Sequence, residues 1–380
     1  MILTDLSQTL SSLYTLQRRG IKMGLEHTYR LLDFIKNPQN NLKIIHIAGT
    51  NGKGSTAAVI YGVLKERGYK VGLYTSPHLI NFNERIRING LPISNQEILL
   101  FMRKLEPAIQ EIKSTFFEVT TAMALNHFND NSVDVAIIET GLGGRLDSTN
   151  VVDPSLTVMT PISIDHIDIL GHTIQEIATE KAGIIKKEVP LITTMQNKSV
   201  FEILKETANK NESPIYTSSE PTNVEVTPTG TGFELSGKKF MTSMIGEHQA
   251  SNAALAINTL MRFDDKIPYE TLCEGLKNVF WPGRLQLVSD RIYYDVAHNK
   301  AGIKSVLKTL NKIFPESEFF GLFSLKGDKD IESIAKYIKS QFKTLFITTS
   351  KDGILLSPRE LSEKLNILGI DNVSVDCVSN

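Results

Sequence analysis

At 380 residues the chain is long enough for two or three domains, each with a core of ordinary size. Charged residues make up 22% and the formal net charge is −1, so there is no global basic field to attract nucleic acid and no acidic tail. The two cysteines, Cys273 and Cys377, lie far apart without Cys-x-x-Cys or histidine clustering, which fits a reducing compartment and no structural zinc. The N-terminal Met-Ile-Leu-Thr-Asp-Leu lacks the regions of a signal peptide, and no apolar run approaches the ~20 residues needed to cross a bilayer. A soluble, cytoplasmic protein without membrane or nucleic-acid partners is expected.

Residues 5–36 carry two helical stretches. In the second, Leu25, Tyr29, Leu32 and Ile35 recur at helical spacing, and Asn37-Pro38 stops it. A short apolar run at 44–48 then enters Gly49-Thr-Asn-Gly-Lys-Gly-Ser55, followed by a helical pattern from about Ser55 to Arg67. Strand, glycine-rich loop and helix, in that order, form the setting in which backbone N–H groups cradle phosphate. Lys53 would supply the point charge, and Gly49, Gly52 and Gly54 permit close backbone approach. The general pattern G-x-x-x-x-G-K-[ST] is broken here, because Gly54 stands between Lys53 and Ser55. A tight strand-to-helix connection without ligand is the plain alternative.

Gly68 ends that helix and a second strand follows at 70–75, giving the βαβ order of a parallel, helix-covered sheet. Ser94-x-x-Glu97 is a capping box opening a helix that contains Pro107, and a further helix is expected over 120–128. The nearly all-apolar run at 133–138 reads as a central strand buried on both faces, ending at Glu139, where open α/β sheets bind ligands. Glycines crowd the next stretch, Thr140-Gly-Leu-Gly-Gly-Arg-Leu-Asp-Ser148. Strands at 156–160 and 191–194, a capping box at Thr173-x-x-Glu176 and a helix at 201–209 follow. A Ser/Thr/Pro/Gly-rich stretch, 211–245, contains a hairpin turning at Ser236-Gly237, and an alanine-rich helix spans 249–261. Trp281-Pro-Gly-Arg284 punctuates the chain, giving expected domains of 1–281 and 282–380. In the second, strands near 286–296, 317–323, 343–348 and 372–378 alternate with helices near 300–313, 330–340 and 357–366.

Several blocks, in order, resemble the dihydrofolate synthase/folylpolyglutamate synthase branch of the Mur ligase superfamily of ATP-dependent amide-bond formers. They are His46-Ile-Ala-Gly-Thr-Asn-Gly-Lys-Gly-Ser55, Thr75-Ser-Pro-His78, Glu84-Arg-Ile-Arg-Ile-Asn-Gly90 and Phe116-Phe-Glu118. Glu139-x-Gly-Leu-Gly-Gly-Arg-Leu-Asp147, Ile164-Asp-His166, Glu180-Lys-Ala-Gly-Ile184, His248-x-x-x-Asn252, Trp281-Pro-Gly-Arg-Leu-Gln286 and Asp295-x-Ala-His-Asn299 complete the set. The resemblance implies an α/β protein with a large P-loop-type parallel-sheet ATP-binding domain and a smaller Rossmann-like α/β domain. Relatives carry an additional glycine in the ATP loop at the place of Gly54.

The same resemblance implies roles. Gly49, Thr50, Asn51, Gly52, Lys53, Gly54 and Ser55 would hold the nucleotide phosphates, with Asn252, Arg284 and Asp295 completing the ATP site. Ser76, Glu139 and His166 would ligate Mg²⁺, although imidazole is an unusual ligand for so hard a cation. Lys181 matches a lysine that relatives carry as a carbamate able to bind a second metal, and a helix-surface lysine paired with Glu180 or Glu176 is the alternative. His298 would lie near incoming L-glutamate, while Phe117, Glu118, Leu146, Asp147 and Ser148 would contact the pterin of dihydropteroate or folate. The reaction would phosphorylate a substrate carboxylate with ATP and pass the acyl group to the amine of glutamate, and a monomer is expected. Another amide ligase of the superfamily, or a nucleotide-binding paralogue without ligase activity, are the competing readings.

The chain departs from the family pattern in two ways. Val296 and Lys300 replace the usual glycine and proline around Ala-His-Asn, and Val296 is expected to narrow the backbone near the ATP ribose. The sequence also stops at Asn380, short of a typical relative, so the smaller domain is expected to lack a last strand and helix and to be the less stable unit.

Overall fold

The computed structural model describes residues 6–20, 24–350 and 353–374. Two helices, α1 (Leu6–Thr15) and α2 (Glu26–Phe34), precede the first strand, β1 (Ile44–Ala48). Helix α3 (Lys53–Glu66) begins directly on the glycine loop, and β2 (Val71–Tyr74), β3 (Ile86–Ile88) and β4 (Leu91–Pro92) follow. Next come α4 (Asn95–Ile112), α5 (Phe116–Asp130), β5 (Val135–Glu139), β6 (Leu156–Met159), the short α6 (Ile167–Leu170) and α7 (Ile174–Ala182). The large unit ends with β7 (Leu191–Thr193), α8 (Lys198–Lys210), β8 (Ile215–Thr217), β9 (Thr222–Thr227), β10 (Gly230–Leu235), β11 (Lys238–Thr242), α9 (Glu247–Phe263) and α10 (Tyr269–Lys277).

These strands build an eight-stranded sheet in the order β4-β3-β2-β5-β1-β6-β7-β8. From β2 to β8 every neighbouring pair is parallel, while β3 and β4 add an antiparallel edge. The chain leaves β1 toward β2 on one side and later passes from β5 to β6 on the other. The end of β1 is therefore a switch point, where α/β sheets open a ligand crevice at the carboxyl ends of their strands. Side-chain alternation explains why the central strands read as unbroken apolar runs. Ile44, Ala136 and Ile138 face a core built with α2, α4 and α5. Ile45, Ile47, Val135 and Ile137 face the opposite core, built with α3, α9 and α10.

A separate three-stranded antiparallel sheet, β9–β11, lies beside α9 and α10. Its β10–β11 hairpin turns at Ser236 and Gly237, both with positive φ (50° and 76°), as the expected two-residue turn requires. The smaller unit contains β12 (Gln286–Ser289), β13 (Ile292–Tyr294), α11 (Lys300–Ile313), β14 (Phe320–Phe323), α12 (Ile331–Ile338), β15 (Thr344–Ile347), α13 (Pro358–Ile367) and β16 (Val373–Ser374). β14, β15 and β16 form a parallel sheet with its own core, including Leu307, Ile334, Leu345, Ile347 and Leu361.

The structure changes two expected elements. The stretch near 286–296 is a hairpin rather than one strand, because Arg291 takes a left-handed conformation (φ 57°) and reverses the chain. Helix α5 starts four residues earlier than expected, because Thr115 and Glu118 form a capping box. Helix α4 runs through Pro107. Of the strand expected near 372–378, residues 375–378 lie outside the described residues, as does Cys377, while Cys273 is a free thiol. Among the described residues no helix is long and apolar enough to cross a membrane.

Phe128 of α5 is fully buried, and its ring fills the space that a Cβ on Gly72 of β2 would need. Phe128→Ala should therefore cost about 3–5 kcal/mol of stability, read as a lowered urea midpoint with circular dichroism. An unchanged midpoint would mean that α5 does not depend on this contact.

Candidate active site

The loop after β1 is shaped by close approach. Gly49 (φ 146°) lies against Thr160, Gly52 (φ 90°) against the amide of Asn252, and Gly54 against the indole of Trp281. A Cβ at Gly54 would sit 2.8 Å from Trp281 Nε1. The glycine that broke the general phosphate-loop pattern is thus the surface on which the tryptophan of the Trp-Pro-Gly-Arg segment packs. The Thr50 and Asn51 N–H groups donate to Pro161 O (3.0 and 3.3 Å), and Thr50 Oγ1 both donates to Ser163 O and accepts from Ser163 N. The loop is held from three sides. Ser55 is buried in the first turn of α3.

Two lysines converge on one carbonyl. Lys53 Nζ donates to Gly49 O at 3.1 Å and to Thr50 O at 3.3 Å, while Lys181 Nζ, from α7, donates to the same Gly49 O at 2.9 Å. Lys181 is 4% exposed, so it is not a surface residue paired with a neighbouring acid; Glu180 pairs instead with Arg145. Burial, reinforced by the Lys53 charge, lowers the Lys181 ammonium from its usual range to about 7.

Glu139 ends β5 beside this pair. One of its oxygens accepts from Ser76 N at 3.3 Å. Burial raises its carboxyl, opposed by the charges of Lys53, Arg284 and Arg85. His166 has a left-handed backbone (φ 52°) at the start of α6, and its electrostatic neighbours are Asp165, Lys329, Asp328 and His298. Among the described residues no three His, Cys, Asp or Glu side chains converge as a ready metal cage. The donor set nevertheless suits a hard cation at Glu139 and Ser76. Glu139 is a buried carboxylate whose second oxygen has no hydrogen-bond partner among the described residues, and the residue whose N–H it accepts, Ser76, carries a hydroxyl.

The smaller unit closes one side. Arg284 sends its charge toward Glu139, Asp295, His248 and His298. Asp295 is a backbone clamp: its oxygens accept from Leu285 N and Ala297 N, both at 2.7 Å. Val296 packs against Gly283, the contact made where the family pattern has glycine. Asn299 caps α11 by accepting from Gly302 N and donates to Asn51 Oδ1 and Asp165 Oδ2, both at 3.1 Å. Asp165 also receives Lys329 Nζ at 3.0 Å, a nearly buried ion pair between the two units, and His298 Nε2 lies 3.8 Å away. No local pattern marks Lys329 and Asp165 as partners, because their meeting spans 164 positions and two domains.

The expected pterin residues divide. The Phe117 ring rests on Gly141 and lies 6.0 Å from Tyr74. Asp147 and Ser148 are buried and Leu146 half-buried in the adjoining turn. Asp147 accepts from Leu142 N, Thr149 N and Thr149 Oγ1, and Thr149 is in turn held by His46 Nε2 at 2.8 Å. Glu118 is committed to structure: its carboxylate accepts from Thr115 N at 2.6 Å and faces His27 Nδ1 at 3.5 Å.

Two family models match most of the chain. Residues 47–260 fit the Mur ligase middle domain, and 283–379 fit the Mur ligase, glutamate ligase domain. The chain belongs to the Mur ligase family. Within it, the dihydrofolate synthase/folylpolyglutamate synthase of Bacillus subtilis is 39% identical over 342 residues, covering 84% of this chain and 80% of that one. The protein of the same name from Mycobacterium tuberculosis is 35% identical over 362 residues, covering 86% and 74%. The structure of Mycobacterium tuberculosis folylpolyglutamate synthase complexed with ADP matches with a TM-score of 0.90 at 32% identity, over 97% of this chain and 88% of the other. Escherichia coli FolC in complex with DHPP and ADP matches with a TM-score of 0.85 at 29% identity, over 98% and 89%. Like these relatives, this Mur ligase family member is a ligase forming carbon–nitrogen bonds.

The depressed Lys181 has a measurable sign. In the unfolded chain the amine holds its proton up to about pH 10.4, whereas in the fold it releases it near 7. Between those values the unfolded state binds more protons, so this group makes stability rise with pH across that window. Lys181→Met removes the effect. The stability difference between parent and Lys181→Met should therefore shift in favour of the parent from pH 7 to 10, in urea titrations without nucleotide, bicarbonate or divalent metal. A difference that is flat with pH would place the amine in water.

Proposed function

We propose that this ligase uses ATP to join L-glutamate to dihydropteroate, to the tail of a reduced folate, or to both, releasing ADP and phosphate. The observation that carries the reading is the convergence of Lys53 and Lys181 on Gly49 O, beside the buried Glu139. Its relatives include proteins named for both reactions. A carboxylate is a poor acyl donor, so it must first become an acyl phosphate, which the glutamate amine attacks with loss of phosphate.

In this reading the backbone from Gly52 to Ser55 receives the phosphates of ATP, residues 49–51 shape the loop, and Lys53 turns from the loop carbonyls to the transferred group. Asn252, Arg284 and Asp295 complete the nucleotide site; Arg284 supplies positive charge, and Asp295 sets the backbone that presents it. Ser76, Glu139 and His166 would hold Mg²⁺. The metal would neutralise charge on the phosphates when bound. His298, close to Asp165 and Lys329, faces the place for glutamate. Phe117 and the Leu146–Ser148 turn form the pterin wall, with Glu118 bracing it from behind as a helix cap. Contact between the two units keeps water from an acyl phosphate that would otherwise hydrolyse.

Lys181 supplies the finer feature. An amine near neutrality at pH 7 is the form that adds carbon dioxide, R–NH₂ + CO₂ → R–NH–COO⁻ + H⁺, converting a buried cation into a carboxylate that Lys53 can face. Carbon-13 bicarbonate should give a carbamate resonance by NMR that is absent in Lys181→Met. No difference between the two spectra would leave Lys181 as an amine.

The decisive assay offers dihydropteroate and a reduced folate monoglutamate separately, with ATP, Mg²⁺ and glutamate, and weighs the products. A gain of one glutamyl residue is expected with at least one acceptor, and Lys53→Ala should lower turnover by about 10³-fold or more. Glutamate-independent phosphate release, or normal turnover by Lys53→Ala, would refute the assignment.

A further inference from the structure

Arg85 lies at the end of a short turn, Phe82–Arg85, immediately before β3, and it is buried. A buried guanidinium stays charged and needs a partner. Among the described residues no Asp or Glu forms an ion pair with it. Glu84, its neighbour in sequence, spends its carboxylate on the N–H groups of Leu79, Ile80 and Asn81 (3.0, 3.1 and 2.7 Å).

Two sides of the guanidinium are accounted for. Nε donates to His78 Nδ1 at 2.7 Å, which requires the His78 tautomer with its proton on Nε2. The guanidinium carbon lies 5.1 Å from the centroid of the Phe116 ring, which itself stacks on Tyr14 at 5.9 Å and 12°. These contacts fix the plane of the group. Both terminal nitrogens have no hydrogen-bond partner among the described residues. The ionisable groups that feel Arg85 most are Tyr74, Tyr14, Glu139 and Glu84. Arg85 is therefore set between the aromatic wall that carries Phe117 and the strand end that carries Glu139.

We propose that the two terminal nitrogens of Arg85 bind the α-carboxylate of the glutamyl residue that ends a folate tail. The inference rests on the ligase reading above and assigns the tail specificity of that site. A planar fork oriented by His78 and Phe116 matches a carboxylate with two parallel N–H···O bonds. The reacting carboxylate is a poor occupant, because an arginine gripping both oxygens would weaken the nucleophile that must reach the phosphate. A glutamyl tail carries a second, non-reacting carboxylate; dihydropteroate has none. Arg85 would thus distinguish tail extension from the first glutamate addition.

The test compares a reduced folate monoglutamate with its α-carboxamide analogue, by calorimetry on the parent protein and on Arg85→Gln and Arg85→Lys. Loss of a charge-assisted bidentate contact predicts that the parent binds the carboxamide about tenfold or more weakly. In Arg85→Gln the two ligands should bind alike, and Arg85→Lys should recover only part of the preference. In turnover, the fall in kcat/KM of Arg85→Gln with folate should exceed its fall with dihydropteroate by the same factor. Equal binding of both ligands to the parent, or no binding of either, overturns the proposal, and neither result requires a folded variant. A preference that survives in Arg85→Gln, or equal losses with both acceptors, overturns it as well. Failure of the ligase reading is distinguishable, since the parent would then add glutamate to neither acceptor.

Discussion

The active site depends on how closely other parts of the chain press on the loop after β1. Thr160 at the end of β6, Asn252 in α9 and Trp281 beyond α10 each occupy the space that a side chain on Gly49, Gly52 or Gly54 would take. A loop pinned at three glycines cannot relax toward its own side chains, so its N–H groups keep the concave arrangement that suits an anion. Those three anchors come from the sheet, the helical layer and the segment that follows α10. The shape of the loop is therefore a property of the whole large unit.

Electrostatics follow from that geometry. Gly49 O takes hydrogen bonds from two lysines, one of them almost fully buried, and Glu139 answers them from the end of β5. Burial pushes the two charge types toward neutrality, lowering Lys181 and raising Glu139, while their proximity to opposite charges pulls the other way. A site poised in this manner gains from a polyanionic ligand and a cation, which satisfy the positive and negative groups together. Arg284 joins the cluster from the smaller unit, so the charge balance of the cluster and the relative position of the two units are linked.

That link has a definite construction. Asn299 caps α11 with one side-chain atom and with the other touches both the phosphate loop, at Asn51, and Asp165. Lys329 pairs with Asp165 at a point nearly closed to solvent, where an unpaired charge would be costly. Glu247 at the start of α9 meets Lys308 and Lys312 on the exposed rim, a contact that water and salt weaken. The buried pair fixes the approach of the smaller unit to the site, and the rim pairs add little strength.

Much of this was legible in the sequence because it is local. The run at 44–48 and the near-continuous apolar strand ending at Glu139 stand where their periodicity placed them, since residues buried on both faces leave an unbroken apolar signature. Capping boxes at Ser94 and Thr173 marked helix starts, because both partners lie within one turn. The same signal is present at Thr115 and Glu118, inside the block whose resemblance implies ligand contact. The fold spends that carboxylate on Thr115 N and sets it near His27. What needed the tertiary structure was long-range. No spacing rule announces that Trp281 packs on Gly54, that Lys181 reaches Gly49 O across 132 positions, or that Arg85 is buried without an acid. The sequence by itself determined the layered α/β fold and the residue types available for phosphate and carboxylate chemistry, because periodicity and turn chemistry are short-range. Only the folded chain decided which charges are buried together, because burial and proximity, not residue type, set the state of a lysine or a carboxylate.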